Sequence, residues 1–145
     1  MKAYRKHMLT IAAVALAAIG AYPSPAAAQA AAEGKFTLPY EVKWQDVVLP
    51  AGDYTFTLAS ADRPARLIIR GPRGPMFVVA ITTNERNTKG KSALTVERHD
   101  GTLFVRDLYV AFLDRTFLFR VPKISKEEEA RGPVTSEQVL VALAR

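Results

Sequence analysis

The sequence has no cysteine, a single tryptophan and two histidines. Without cysteine there is no disulfide and no lipid attached through a lipoprotein cysteine, so a folded body must be held by its core alone. His7 sits near the N-terminus, which leaves His99 as the one imidazole of the main body. A lone histidine cannot build a usual zinc site, which takes three or four ligands. A long apolar run is missing too: the uncharged stretch from Met8 to Ala21 stops at Tyr22-Pro23-Ser24-Pro25, short of the roughly 20 apolar residues that span a bilayer.

That short run instead has the pattern of an export signal. Lys2, Arg5 and Lys6 precede it with no acid among them, and small residues follow in "PSPAAAQA". Ala28 and Ala30 suit the −3 and −1 positions for cleavage after Ala30, and Ala26 with Ala28 would suit cleavage after Ala28. Arg5-Lys6 lacks the second arginine of a twin-arginine signal, so general secretion is expected. The predicted organisation is residues 1–30 as a cleaved signal, 31–34 as a short linker, 35–122 as a β-domain, and 123–145 as a charged segment with a C-terminal strand or helix. The processed chain would be periplasmic or extracellular, with no transmembrane segment. Three of the 20 basic residues leave with the signal, so 17 remain against 14 acids and the net charge falls from +6 to +3. Such a charge supports solubility and gives no argument for a nucleic-acid partner.

From Lys35 to Pro122 the dominant period is two, the mark of strands with one buried face. Phe36, Leu38, Tyr40, Val42 and Trp44 keep one face apolar, interrupted by Pro39, which marks an edge or a bend. Tyr54, Phe56 and Leu58 alternate with Thr55 and Thr57, and "RLIIR" at 66–70 runs into the breaker "GPRGP". "MFVVAITT" and the stretch from Asp107 to Leu113 are apolar on both sides and predict central strands. "NERNTKGKS", 84–92, predicts an exposed, mobile break. Asp100-Gly101 predicts a two-residue hairpin, with Val96 facing Val105, Arg98 facing Leu103, and Glu97 diagonal to Arg106. Ser125 and Glu128 have capping-box spacing, so a short helix is expected near 125–131. Residues 136–144 fit a strand or a helix, with the strand favoured. The fold class expected is all-β: a single antiparallel β-sandwich or partly closed barrel of about eight short strands.

Leu49-Pro50-Ala51-Gly52-Asp53-Tyr54, together with Phe36, Leu38-Pro39, Val42 and Trp44 upstream, resembles a group of small, exported, uncharacterised bacterial β-proteins that carry an LPAGxY motif. The resemblance implies an exported β-domain with no known reaction. The same stretch is similar, more distantly, to prealbumin-like and carboxypeptidase-regulatory-like β-sandwich modules, with Ala51 in place of their second proline. That likeness implies a sandwich and a non-catalytic role.

Candidate chemistry is sparse. Pro50 to Asp53 has one glycine and leads into a strand, so it predicts a structural turn built on Pro50 and Gly52 and no phosphate loop. Asp100 and Gly101 are the second structural turn. Ser60, Ser92, Ser125 and Ser136 lie in plain turn contexts with no elbow motif to pair with His99, which reads as an exposed turn residue. Asp46, Asp53, Asp62, Asp100 and Asp114 fall at turns, where aspartate bonds local backbone, and Glu127-Glu128-Glu129 lacks the alternating ligands of a calcium loop. No catalytic, metal or cofactor residues are therefore assigned. Arg63, Arg66, Arg70 and Arg73 form the one cation cluster, a candidate contact surface for an anionic glycan or lipid head group. The expected function is a non-enzymatic binding or interaction module of the cell envelope. The alternatives are a small carboxylate-based hydrolase, or a barrel-type carrier with Trp44, Phe56 and Phe77 lining its cavity.

Overall fold

The structure, a computed structural model, describes residues 30–85 and 90–144, so the segment expected to be an export signal lies, apart from Ala30, outside the described residues. The described chain forms, in order, β1 (Ala32–Leu38), β2 (Val42–Trp44), β3 (Val47–Leu49), β4 (Gly52–Ser60), β5 (Arg66–Gly71), β6 (Gly74–Val79), β7 (Thr82–Glu85), β8 (Ala93–His99), β9 (Thr102–Val110), β10 (Arg115–Leu118), helix α1 (Lys126–Ala130), β11 (Ser136–Leu140) and β12 (Ala142–Leu143). One sheet has the order β12-β1-β4-β5-β6. The other runs β11-β8-β9-β10-β7, and the β2–β3 hairpin joins it through a parallel contact of Lys43 with Phe104 on β9. The result is a mostly-β, two-sheet architecture with no closed barrel.

Twelve strands replace the expected eight because the chain changes sheets at corners that leave its apolar alternation undisturbed. Phe36 and Leu38 face inward from the first sheet, Val42 and Trp44 from the second, and Pro39 lies in the bend between them. Ala80-Ile81 makes a similar crossing from β6 to β7, and Val141 from β11 to β12. Side chains that point inward before a corner point inward after it, so a period of two carries no mark of the switch. Between the sheets, Trp44, Leu58, Leu67, Ile69, Leu94 and Phe117 are fully buried. Trp44 meets Phe119 edge-on at 4.9 Å, and Phe36 stacks on Tyr54 at 5.5 Å.

Several expectations are corrected. Residues 32–34 are no linker: they begin β1, and Gly34 lies so close under Phe56 that a Cβ would come within 2.5 Å of the ring. "MFVVAITT" is not central, because β6 is an outer strand of its sheet and Phe77 is 72% exposed. β9 is central, flanked by β8 and β10, but Ala111–Leu113 leave it as a 3-10 turn that ends on Asp114 in the left-handed region. In the 84–92 stretch, Asn84 and Glu85 extend β7, while Ser92 is buried and its hydroxyl accepts from Ala111 N–H at 2.9 Å. The tail is strand, β11 pairing with β8 in one sheet and β12 with β1 in the other, so the β-domain extends to Leu143.

Other local expectations hold. Asp100 and Gly101 have φ of 46° and 82°, the positive pair of a tight hairpin turn, and Val96 faces Val105 while Arg98 faces Leu103. Ser125 caps α1 by accepting from Glu128 N–H at 3.2 Å. At Pro50 to Asp53 the corner is structural: the Tyr54 hydroxyl donates to the Pro50 carbonyl at 2.7 Å, and Gly52 has φ of 149°. Gly71 in the "GPRGP" breaker is the counterpart of this corner, since a Cβ there would fall 2.1 Å from the Tyr54 ring.

Two stability predictions follow from that corner. Gly71→Ala forces the Tyr54 ring aside and should cost about 2 kcal/mol, the range of core overpacking. Gly52→Val should cost about 1 kcal/mol or more from backbone strain. Urea unfolding of both variants measures this, and unchanged midpoints would contradict the packing described. A third prediction concerns alkali. Burial pushes the Tyr40 phenol up to about 12, with the Glu137 carboxylate adding to the rise and Arg98 opposing it, and burial also raises Tyr54. An unfolded phenol releases its proton near pH 10, so this stability is fully present below pH 10 and is lost as pH climbs through about 12. The melting temperature of Tyr40→Phe should therefore fall less steeply over that window than that of the parent.

Candidate functional site

The cation cluster proposed from the sequence divides in the structure. Arg63 lies beyond the start of β5 and donates through Nη2 to the Thr83 carbonyl at 3.0 Å, away from the other three. Arg66 and Arg70 stand on the outer face of β5 on either side of Ile68, as alternation requires, and Arg73 occupies the tight turn from β5 into β6. The neighbouring strand sets what lies beside them. Arg66 pairs with Val79, Ile68 with Phe77 and Arg70 with Pro75. Phe77 is thus directly opposite Ile68 and diagonal to both arginines. Among the described residues none of Arg66, Arg70 and Arg73 is in an ion pair, and Arg70 makes one hydrogen bond, to the Thr57 hydroxyl at 3.3 Å.

The apolar part of this face continues past the end of β6. Val79 is 41% exposed and Ile81 59% exposed, and both line, with Phe104 and Pro122, a half-open cleft of about 670 Å³. Lys43, Arg120 and Asp46 supply its charges. At the same corner Gln45, in the β2–β3 turn with φ of 55°, binds the backbone of Val79 twice. Its Nε2 donates to the Val79 carbonyl at 2.7 Å, and its Oε1 accepts from the Val79 N–H at 3.4 Å. A side-chain amide here takes the place of a neighbouring strand.

His99 is the second group of interest, and the expectation of an exposed turn residue is wrong. It is 5% exposed because the segment from Pro122 to Val134 lies over the outer face of β8. Its Nε2 is 3.3 Å from Glu97 Oε2 and its Nδ1 is 3.8 Å from Glu128 Oε2. Glu97 in turn accepts from Arg106 Nη1, the diagonal partner expected from the hairpin, and Glu128 accepts from the Asp100 N–H at 3.0 Å. A bulge assists this arrangement. Thr95 pairs with Asp107 and Val96 with Val105, so Arg106 is the extra residue on β9. Ser136 lines the same depression as His99 and is paired with Glu97 across β11 and β8. A nucleophile triad needs one imidazole nitrogen turned to the acid and the other to the hydroxyl. Here both nitrogens face carboxylates, so the cluster works as a clasp that fastens α1 to the β8–β9 turn. The other serines are apart from it: Ser60 accepts from the Asp62 N–H, Ser92 supports the Ala111 turn, and Ser125 caps α1.

The aspartates expected to bond local backbone instead meet side-chain hydroxyls where a bond forms. Asp53 enters β4 and accepts from the Thr37 hydroxyl at 2.6 Å, and Asp114 accepts from the Tyr109 hydroxyl at 3.2 Å. Among the described residues no group of three or more histidine or acidic side chains is placed to hold a metal ion. The residues named for a carrier cavity do not meet, since Trp44 and Phe56 are packed in the core while Phe77 points outward.

The buried clasp yields a test. Glu97→Gln weakens contacts to both Arg106 and His99 and should lower stability by about 2 kcal/mol. Glu127→Gln on the exposed side of α1 should change it by less than about 0.5 kcal/mol. Equal effects in urea unfolding would contradict the clasp. Comparison of the chain with protein-family models, with curated proteins and with solved structures gave no match.

Proposed function

We propose that this chain is a non-catalytic binding domain of the cell envelope whose contact surface is the outer face of β5 and β6. The observation that carries the reading is the arrangement of Arg66 and Arg70, exposed on one face, with Arg73 exposed in the turn beside it, and none of the three in an ion pair among the described residues. Arginines that merely solubilise a sheet commonly sit among acids. Two acids share this face: Asp53 at the start of β4, two residues from the Thr55 that pairs with Arg70 and engaged by the Thr37 hydroxyl, and Glu33 on β1. Glu33 lies in register with Thr57, which pairs with Ile68, so it is two strands from β5. At about 4.8 Å per strand that is roughly 10 Å, beyond the screening length of about 8 Å in physiological salt. The cations thus outnumber the acids near them and form no ion pair among the described residues, so the face keeps a positive excess toward a polyanion. The export pattern of the N-terminal residues would put such a patch in contact with anionic envelope material.

The test is retention on an anionic polymer, dextran sulfate, at low salt. Arg66→Ser combined with Arg70→Ser should elute earlier by a clear margin, while Arg63→Ser, whose guanidinium is tied to the Thr83 carbonyl, should elute close to the parent. Unchanged retention in the double variant overturns the reading.

A further inference from the structure

Resting on that reading, we propose that the β5–β6 face docks on a bilayer surface rich in anionic lipid, with Phe77, Val79 and Ile81 entering the interface and Arg66 and Arg70 meeting head-group phosphates. The sequence pattern had these three apolar residues inside a central strand. The structure instead leaves them 72%, 41% and 59% exposed along one border of the sandwich. Phe77 and Val79 lie about 7 Å apart on β6 at about 3.3 Å per residue, with Ile81 at the corner into β7, and about 13 Å separates Arg66 from Arg70 on the adjoining strand. Phe77 lies in the centre of this bracket, with Ile68 opposite it. An aromatic and aliphatic strip flanked by unpaired cations matches the charge and polarity of an anionic membrane interface.

Two other occupants fit less well. A protein strand adding to β6 needs free backbone donors and acceptors. Pro75 has no N–H, and Gln45 already occupies both polar groups of Val79, so Phe77 is the one fully open residue on that edge. A neutral glycan stacked on Phe77 needs hydrogen-bond acceptors as well as donors around the ring, and a guanidinium only donates. The neighbours are Ile68, Val79, Pro75 and the two arginines, and the nearest hydroxyl across the face, that of Thr57, is engaged by Arg70.

The experiment uses the chain expected after processing, residues 31–145, which contains all the strands of the described residues. It is sedimented with vesicles of phosphatidylcholine alone and with vesicles containing about one-third phosphatidylglycerol. Binding to the anionic vesicles, and much less to the neutral ones, is expected. Each arginine near such a surface contributes about fivefold, so Arg66→Ser with Arg70→Ser should reduce partitioning by roughly 25-fold. Phe77→Ser, at a position 72% exposed and with an unchanged fold to be checked by circular dichroism, should reduce vesicle binding several-fold in both low and high salt while leaving dextran sulfate retention unchanged. Failure to sediment with anionic vesicles, or no loss with Phe77→Ser, overturns the membrane proposal. If dextran sulfate retention still depends on Arg66 and Arg70 in that case, the binding-domain reading stands without it. A stable dimer that dissociates on Phe77→Ser would assign the apolar strip to a second copy and overturn the proposal.

Discussion

The Tyr54 ring fixes how the first sheet is assembled. It stacks on Phe36 of β1 at 5.5 Å, covers Gly71 at the end of β5, and sends its hydroxyl back to the Pro50 carbonyl at 2.7 Å. One side chain thus ties together the chain entering β4, the strand on one side of it and the strand on the other. Register follows. With Tyr54 facing inward, Phe56 and Leu58 face inward as well, Leu67 and Ile69 meet them, and Arg66, Ile68 and Arg70 must face out. A slip of one residue would bury two guanidinium groups and expose two core residues, so the pairing is strongly specified. The cationic face is in this sense a consequence of a packing constraint on the opposite side of the same sheet.

A cysteine-free domain depends on many such constraints acting at the sheet corners. The chain crosses between sheets at Pro39, at Pro50-Ala51, at Ala80-Ile81 and at Val141, and backbone hydrogen bonds close the last two: Ala80 N–H to Ala65, Ile81 N–H to Leu118, Val141 N–H to Ser92. These bonds satisfy groups that would otherwise be stranded where a ladder ends. They also bring the two terminal strands into opposite sheets, so that β11 lies against β8 and β12 against β1. The C-terminal tail consequently closes one side of the sandwich. The outer face of β8 is covered differently, by a segment whose short helix buries no residue of its own and is joined to the sheet through Glu128.

Much of this was legible from the residues. The Asp100-Gly101 hairpin, its facing pairs and the Glu97–Arg106 diagonal came from turn chemistry and a period of two, both of which are local. The structural reading of Pro50 and Gly52 was legible for the same reason, although its partner Gly71 was not, because nothing local links positions separated by a whole strand. The errors share one cause. "MFVVAITT" was read as central because it is apolar on both sides, yet apolar content does not tell a strand buried on two faces from an edge strand with an exposed apolar side. His99 was read as exposed because it adjoins a turn, yet its burial comes from a segment more than twenty residues later. The arginine group was half legible: alternation placed Arg66 and Arg70 together, whereas Arg63, beyond the end of that strand, took its direction from Thr83 in the other sheet.

The treatment of the sheet edges bears on what the exposed apolar strip is for. An unprotected edge invites pairing with another chain, and proteins blunt such edges by shortness, proline or a covering group. Here β12 is two residues long and β7 four, while β6 has Pro75 at one end and the Gln45 amide on Val79 at the other. The positive φ of Gln45 is a conformation that costs free energy for any residue with a side chain, and it delivers the amide to that backbone. The strand is therefore closed to backbone pairing while Phe77 and Val79 are left in the open on its face. If those side chains were only an aggregation hazard, sealing the backbone beside them would be half a remedy, since a polar residue at 77 would remove the rest without disturbing the core. Protection of the edge together with retention of the apolar face is the combination expected of a surface that meets something other than another strand.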